Sequence, residues 1–414
     1  MNTPADSRPR TAATPVTRRR FLAGAGASAV ALTFINPALV RGAAANAKLD
    51  IGLIGCGGRG KWIAKLFEQH GGYRFAAVAD YFQERVDDVG EAFQVPANRR
   101  FTGLSGYRRL LEQKLDAVVI ETPPYFHPEQ AAAAVDAGKH VFLAKPVAVD
   151  VPGCATIEDS GRKATAKKLC FLVDFQTRAN NLYQEAIQRV HAGEIGKLIC
   201  AEAAYHCGPT WEHMDQLLRK DPTNPEVRLR AWGVDRVLSG DVITEQNIHA
   251  LDVACWVLDA RPLRAYGTGG ATRGFVGNCW DRFAVIFYFP NDLVVSFNSH
   301  QSGWGYDDIL FRAFGVKGVL DTHYFGHVTL KAKEFHSDAQ VPNLYQTGAA
   351  ANIATFHDQI TRGECANLTV PASVRSNLTT ILGRMAAYRN AVVTWDEMMA
   401  ANEKFEADLK GLKA

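Results

Sequence analysis

"LDIGLIGCGGRGKWIAKLFEQH", Leu49 to His70, decides how this chain folds. It opens with a short, mostly apolar run, Leu49–Ile54, of the kind that forms a buried strand. It closes with Trp62, Ile63, Leu66 and Phe67 at helical spacing. Between them stands Gly55-x-Gly57-x-x-Gly60. In a strand–turn–helix, the first glycine makes the tight turn and the second lets backbone approach a pyrophosphate. The third lets helix and strand pack closely. The helix N-terminus then offers N–H donors and partial positive charge to the phosphates. Gly55, Gly57, Gly58, Arg59 and Gly60 are therefore expected to hold a dinucleotide.

Asp80 supports this reading. It ends the next apolar run, "FAAVAD", twenty residues after Gly60. A carboxylate there can accept both hydroxyls of the adenosine ribose and would repel a 2′-phosphate, which favours NAD over NADP. The same side chain also suits a helix cap before "YFQERV".

Further along, "LDAVVIET" and "HVFLAK" read as strands, and "ERVDDVGEAF" and "HPEQAAAAVDAG" as helices. Short strands alternating with helices mean parallel βαβ units, here over residues 48–169. After Cys170 the pattern changes. "NNLYQEAIQRVHAGEIG" is helical, "KLICAEAAYH" is a strand, and "DRFAVIFYFPNDLVVSFNSHQ" is a hairpin around Pro290–Asp292. "NIATFHDQITRG" and "ASVRSNLTTILGRMAAYRN" are closing helices. The expected fold is α/β. A Rossmann domain (48–169) is followed by an α+β domain (170–414) on a large, mostly antiparallel open sheet.

Composition is ordinary for a globular protein: 47% hydrophobic, 21% charged, net charge +3. Residues 1–47 carry six arginines and one acid, so the remainder holds 40 basic and 42 acidic residues. A near-neutral body is not expected to bind nucleic acid. The first 47 residues read as a signal. Thr17-Arg18-Arg19-Arg20-Phe21-Leu22 is a twin-arginine block, Phe21–Ile35 is apolar but short for a membrane span, and Ala45-Asn46-Ala47 is a cleavage site. Export to the periplasm by the twin-arginine machinery is expected, with no membrane span in the mature chain. The eight cysteines are scattered, with no metal-ligand spacing, so no metal is expected and no disulfide is specified.

Lys145-Pro146 ends the fourth apolar strand, at the sheet edge where open α/β folds bind ligands. An ammonium there can hydrogen-bond a substrate hydroxyl and stabilise the alkoxide that forms as hydride leaves.

The chain resembles the Gfo/Idh/MocA oxidoreductases, from Lys48 to its C-terminus. The resemblance rests on "GLIGCGGRG", "ETPPYFHPEQAAAAVDAGKHVFLAKP", "HAGEIGKLICAEA", "EQNIHALDVACWVL", "ARPLRAYGTGG" and "NAVVTWDEM". It implies an active site between the two domains, against a nicotinamide, and a sugar or cyclitol substrate. It also implies a dimer or tetramer built on the open sheet. It makes Lys145, Glu245 and His249 the catalytic residues. Glu245 and His249, four apart, would share one helix face. Thr122, Pro123 and His127 would lie along the nicotinamide ribose, and Gln176 and Arg178 would reach substrate. The competing reading of Arg178 is a salt bridge, and Asp252 is expected to be structural. The aromatic stretches Tyr205–Gln216 and Ser299–Asp308 are candidate sugar-stacking surfaces. Members usually read E-K-P where this chain reads Ala144-Lys145-Pro146. Without an opposed carboxylate, Lys145 should ionise less readily.

Outside the cytoplasm, released NADH has no pool to rejoin. Two schemes fit. Tightly held NAD can be reduced by one sugar and reoxidised by a second acceptor. Alternatively, a glycoside can be oxidised, cleaved by elimination, hydrated and reduced again, with no net redox change. A non-catalytic sugar-binding protein that retains NAD is the reading outside enzymology.

Overall fold

The computed structural model describes residues 48–301, 303 and 307–414. The twin-arginine leader expected over 1–47 lies outside the described residues, as do Ser302, Trp304, Gly305 and Tyr306 of the second aromatic stretch.

Six parallel strands form the first sheet: β1 (Leu49–Ile54), β2 (Tyr73–Asp80), β3 (Arg100–Thr102), β4 (Ala117–Ile120), β5 (His140–Ala144) and β6 (Phe171–Asp174). Their order is β3-β2-β1-β4-β5-β6, the doubly wound arrangement whose crevice lies at the carboxyl ends of the central strands. The sheet takes in β6, one strand past residue 169. Its faces are covered by helices Gly58–His70, Gln83–Ala92, Gly106–Leu111, His127–Asp136 and Val151–Ala166.

Nine strands form the second sheet: β7 (Leu198–His206), β8 (Arg264–Gly270), β9 (Arg282–Tyr288), β10 (Val294–His300), β11 (Asp308–Gly315), β12 (Gly318–His323), β13 (His327–Ala332), β14 (His336–Gln340) and β15 (Val392–Thr394). Their order is β14-β13-β12-β11-β7-β10-β9-β8-β15, antiparallel except where β10 lies parallel to β7. The expected hairpin is β9–β10, in register from Tyr288↔Val294 to Arg282↔His300. Burial alternates along these strands, because one face is covered by helices and the other is open.

The described residues fold as one unit, and late helices pack against both sheets. Helix Leu344–Arg362 returns to the first sheet. Phe356 meets Phe142 edge-on at 5.6 Å, and Phe142 meets Phe67 at 5.2 Å. Helix Thr369–Arg389 is nearly all buried, and Arg384 within it donates to the Gly240 and Val149 carbonyls at 2.6 and 2.8 Å. Among the described residues, no helix is long and apolar enough to cross a membrane.

Candidate active site

The glycine turn is crowded at its base and open at its tip. Gly55 has φ +98°, and a Cβ there would sit 2.6 Å from the Glu121 backbone. A Cβ on Gly60 would come within 1.9 Å of the Gly55 carbonyl oxygen, so only hydrogen lets the helix seat on the turn. A Cβ on Gly58 would meet nothing within 4 Å, and no side chain caps helix Gly58–His70. Backbone amides thus face open space where a pyrophosphate would lie. That space belongs to a cavity of about 390 Å³, lined by Gly55, Gly57, Gly58, Arg59, Asp80, Thr122 and Pro123. A cradle built of missing side chains, at the end of β1, fits a dinucleotide.

Asp80 does not cap the following helix: the N-cap of Gln83–Ala92 is Phe82, with no side-chain cap bond. The Asp80 oxygens accept from the Cys56 and Phe82 amides at 2.8 and 2.9 Å, which fixes the turn. A carboxylate has lone pairs left for two hydroxyls, and Asp80 lines the cavity. The other wall is unexpected. His213, Met214, Leu217, Leu229 and Trp232 line the same cavity from the second domain. His213 and Met214 come from the stretch expected to stack on sugar, and they line the cavity that the glycine turn opens into. The signal was an amphipathic helix, Glu212–Lys220, with no other apolar surface assigned to it.

Thr122 and Pro123 line the cavity, but His127 does not. It is 1% exposed, and its ring nitrogens meet the carbonyls of Pro146 and Thr122 at 2.8 and 2.7 Å. It staples the two strand ends together rather than lying along a ribose.

Lys145 leaves the end of β5 toward the second domain. Its Nζ donates to the Glu245 carbonyl oxygen at 2.7 Å and to Glu245 Oε1 at 3.3 Å. Lys145 therefore does have an opposed carboxylate, supplied across the domain junction, contrary to the expectation drawn from Ala144. Glu245 and His249 do not share one helix. Val242–Glu245 ends, Gln246 and Asn247 intervene, and Ile248–Leu258 begins. The break frees the Glu245 carbonyl for Lys145. His249 is 7% exposed, between the rings of Tyr324 (5.3 Å) and Phe175 (6.5 Å), and its Nδ1 is buried without a hydrogen-bond partner. Burial, then the charges of Lys145 and Arg59, hold its pKa well below the usual value, so the ring is neutral.

Two carboxylates that sequence reasoning missed complete the site. Ile120 pairs with Leu143, so Glu121 arrives in step with Ala144; Asp174 pairs with Ala144 from the other side. The position with only a methyl group is flanked by acids on both neighbouring strands. Arg59 bridges them, Nε to Glu121 at 3.3 Å and Nη2 to Asp174 at 2.5 Å, with Trp62 at 4.7 Å and Tyr345 at 4.9 Å from its guanidinium. Burial lifts the Glu121 pKa to about 7 against the favourable charge of Arg59. Its Oε1 is buried without a partner. A charged residue closing the apolar run "AVVIE" was the available signal.

Gln176 and Arg178 are committed to the protein. Gln176 Nε2 donates to Asp174 at 2.8 Å, and its Oε1 accepts from the Tyr324 hydroxyl at 3.3 Å. Arg178 forks onto Asp252 at 2.9–3.1 Å and lies over Trp256, so it takes its salt-bridge reading. Asp252 also accepts from Ser376, as a structural residue should.

Comparison with known proteins gives this geometry a lineage. Residues 49–175 match the NAD-binding Rossmann fold of the Gfo/Idh/MocA oxidoreductase family, and residues 183–321 match a C-terminal domain of the same family. An uncharacterised oxidoreductase, YrbE, of Bacillus subtilis is 25% identical over 64% of this chain and 71% of its own length. An α-N-acetylgalactosaminidase of Shewanella oneidensis is 30% identical over 220 residues; the match spans about half of each protein, 47%. The crystal structure of an aldose–aldose oxidoreductase from Caulobacter crescentus, complexed with glycerol, shares the fold. It is 19% identical, with a TM-score of 0.66 over 84% of this chain and 99% of that one. With both halves matched and the glycine cradle intact, the chain belongs to the Gfo/Idh/MocA family of NAD-binding oxidoreductases.

Proposed function

We propose that this protein is an exported oxidoreductase that oxidises a sugar or cyclitol hydroxyl and keeps its NAD, recycling it within the site. The observation that carries the chemistry is the Lys145 ammonium seated on Glu245, at the carboxyl edge of the parallel sheet. NAD, when bound, supplies the hydride acceptor and donor. Lys145 orients the substrate hydroxyl and stabilises its alkoxide. At about 4 Å and an effective dielectric near 20, that pairing is worth roughly 4 kcal/mol, about a thousandfold in rate. Glu245 and the neutral His249 are assigned as the proton acceptors for that hydroxyl.

Retention is supported by the leader and by the cavity cover. Thr17–Leu22 and Ala45–Ala47 fit export of a folded protein with cofactor already inside. Met214, Leu217 and Trp232 roof the cavity with apolar surface. The aldose–aldose oxidoreductase of the same fold has, by its name, an aldose on both sides of its reaction, as a captive cofactor requires. A homodimer or tetramer belongs to the same proposal. The open sheet face exposes Tyr266 and its β15 neighbour Val392, apolar surface that a second copy can cover.

A second reading is favoured by the α-N-acetylgalactosaminidase relative: oxidation, elimination of the glycosidic bond, hydration and reduction, with no net redox change. The deciding experiment supplies purified mature protein with sugars, cyclitols and glycosides. Paired oxidised and reduced products support the proposal. A released aglycone with unchanged NAD supports the glycosidase. No turnover across the panel overturns both in favour of a binding protein.

A further inference from the structure

The chain leaves the parallel sheet after β6, and residues 365–369, just past the helix that returns to this sheet, run along its β6 edge. β6 is an edge strand, so its outward amides need partners. The returning segment supplies them two residues at a time. Thr369 Oγ1 accepts from the Val173 amide at 3.1 Å, and Asn367 Oδ1 accepts from the Phe171 amide at 2.7 Å. Asn367 Nδ2 also donates to the Leu169 carbonyl at 2.9 Å. Beside the last of these pairs, Cys170 and Cys365 meet Sγ to Sγ at 3.0 Å. The backbone on both sides is thus pinned independently of the sulfurs. Among the described residues the two are free thiols, Cys170 buried and Cys365 half-buried.

We propose that Cys170 and Cys365 form a disulfide that ties the exit of the second domain to its return. The oxidant is another disulfide, small or protein-borne, of the kind present in oxidising compartments. The Cys365 thiolate, on the less buried residue of the pair, attacks the donor disulfide. The donor S–S bond breaks, one thiol leaves, and a mixed disulfide remains on Cys365. Cys170 sulfur then attacks Cys365 sulfur, and the second donor thiol leaves with the Cys170 proton. Two protein thiols are oxidised and one donor disulfide is reduced. The bond closes a separation of 195 residues, so its main effect is to restrict the unfolded chain. Neither sulfur lines the cofactor cavity, so turnover should not depend on it.

The other chemistry open to this cluster is a metal held by Cys170, Cys365 and His140, whose ligand atoms lie within 4.8 Å of one another. His140 Nδ1 already accepts from the Cys170 amide at 2.8 Å, which favours the disulfide.

The test uses the mature wild-type protein treated with oxidised glutathione, dithiothreitol or zinc chloride. Oxidation should lower the free thiols from eight to six. A non-reducing digest should yield one linked pair of peptides, carrying Cys170 and Cys365, lighter by two hydrogens. The unfolding temperature should rise by roughly 5 °C over the reduced protein, and Cys365→Ser should abolish that rise while turnover stays unchanged. Eight alkylatable thiols after oxidation would overturn the proposal, as would a link to any other cysteine. Stoichiometric zinc that shields the pair from alkylation would also overturn it. The wild-type comparison with and without dithiothreitol decides the matter even if the variant fails to fold.

Discussion

Lys145 is one lysine before a proline, and only its surroundings make it chemical. Its ammonium is held by two oxygens of Glu245, so its position is set before substrate arrives. Lys145→Ala should lower kcat about a thousandfold, by the loss of roughly 4 kcal/mol of alkoxide stabilisation. NADH affinity, read by fluorescence titration, should stay within a few-fold; normal turnover would refute the role. Asp80→Ala tests a residue with two tasks. Losing its contacts to the Cys56 and Phe82 amides should cost about 1–3 kcal/mol of stability. Losing the ribose contact should weaken NAD at least tenfold and narrow its advantage over NADP. Unchanged cofactor preference would leave Asp80 as a turn-former alone. Glu121 makes a prediction about pH. Burial raises its pKa to about 7, above its unfolded value near 4.5, so the folded state binds its proton more tightly. That contribution is complete below the unfolded value and is lost as pH rises through about 7, up to about 3 kcal/mol. In Glu121→Gln the fall in unfolding temperature between pH 5 and 8 should be shallower than in wild type; parallel curves would contradict the assignment.

At the scale of elements, sequence reading succeeded where one strand or helix carries its own pattern. β1, the glycine turn and helix Gly58–His70 were legible because tight turn and close packing demand particular residues at particular places. What was not legible came from pairing. Glu121, Ala144 and Asp174 lie on three strands, and only the register reveals that two acids flank the missing one. The break between Glu245 and His249 was hidden because Gln246 and Asn247 are acceptable helix residues; tertiary contacts, not propensity, stop the helix there. Helix Leu344–Arg362 could be read as a helix but not as a lid on the first sheet, since its partner Phe142 is two hundred residues earlier. The glycine helix offers a paired test. Gly60→Ala puts a methyl 1.9 Å from the Gly55 carbonyl oxygen, so the helix must shift and both unfolding temperature and NAD binding should fall. Gly58→Ala meets nothing within 4 Å and should leave the unfolding temperature unchanged or slightly higher. It nevertheless fills the space facing the cavity, so NAD affinity should still drop, by tenfold or more. If Gly58→Ala bound NAD normally, the pyrophosphate would have to lie elsewhere.

For the whole molecule, the proposed export raises the question of how a nicotinamide site could work outside the cytoplasm. A dehydrogenase that exchanged its cofactor there would stop after one turnover, so the proposal requires the architecture to retain it. The glycine turn and Asp80 belong to the first domain, while Met214, Leu217, Leu229 and Trp232 reach over the same cavity from the second. If the adenosine half lies in this cavity, its release would require these second-domain side chains to part from the first domain. Trp232 is the largest piece of the cover. If Trp232→Ala leaves roughly 80 Å² of apolar ligand surface unprotected, the loss at about 25 cal/mol per Å² is about 2 kcal/mol. That corresponds to some thirtyfold faster release. Wild-type protein recovered from the exported fraction should carry nicotinamide through gel filtration, visible in its absorbance. The Trp232→Ala protein should lose it on the column and regain turnover when NAD is added to the assay. Wild type that elutes without nicotinamide, or a variant that releases NADH no faster in stopped flow, would leave the cover without a function and return the cofactor to ordinary exchange.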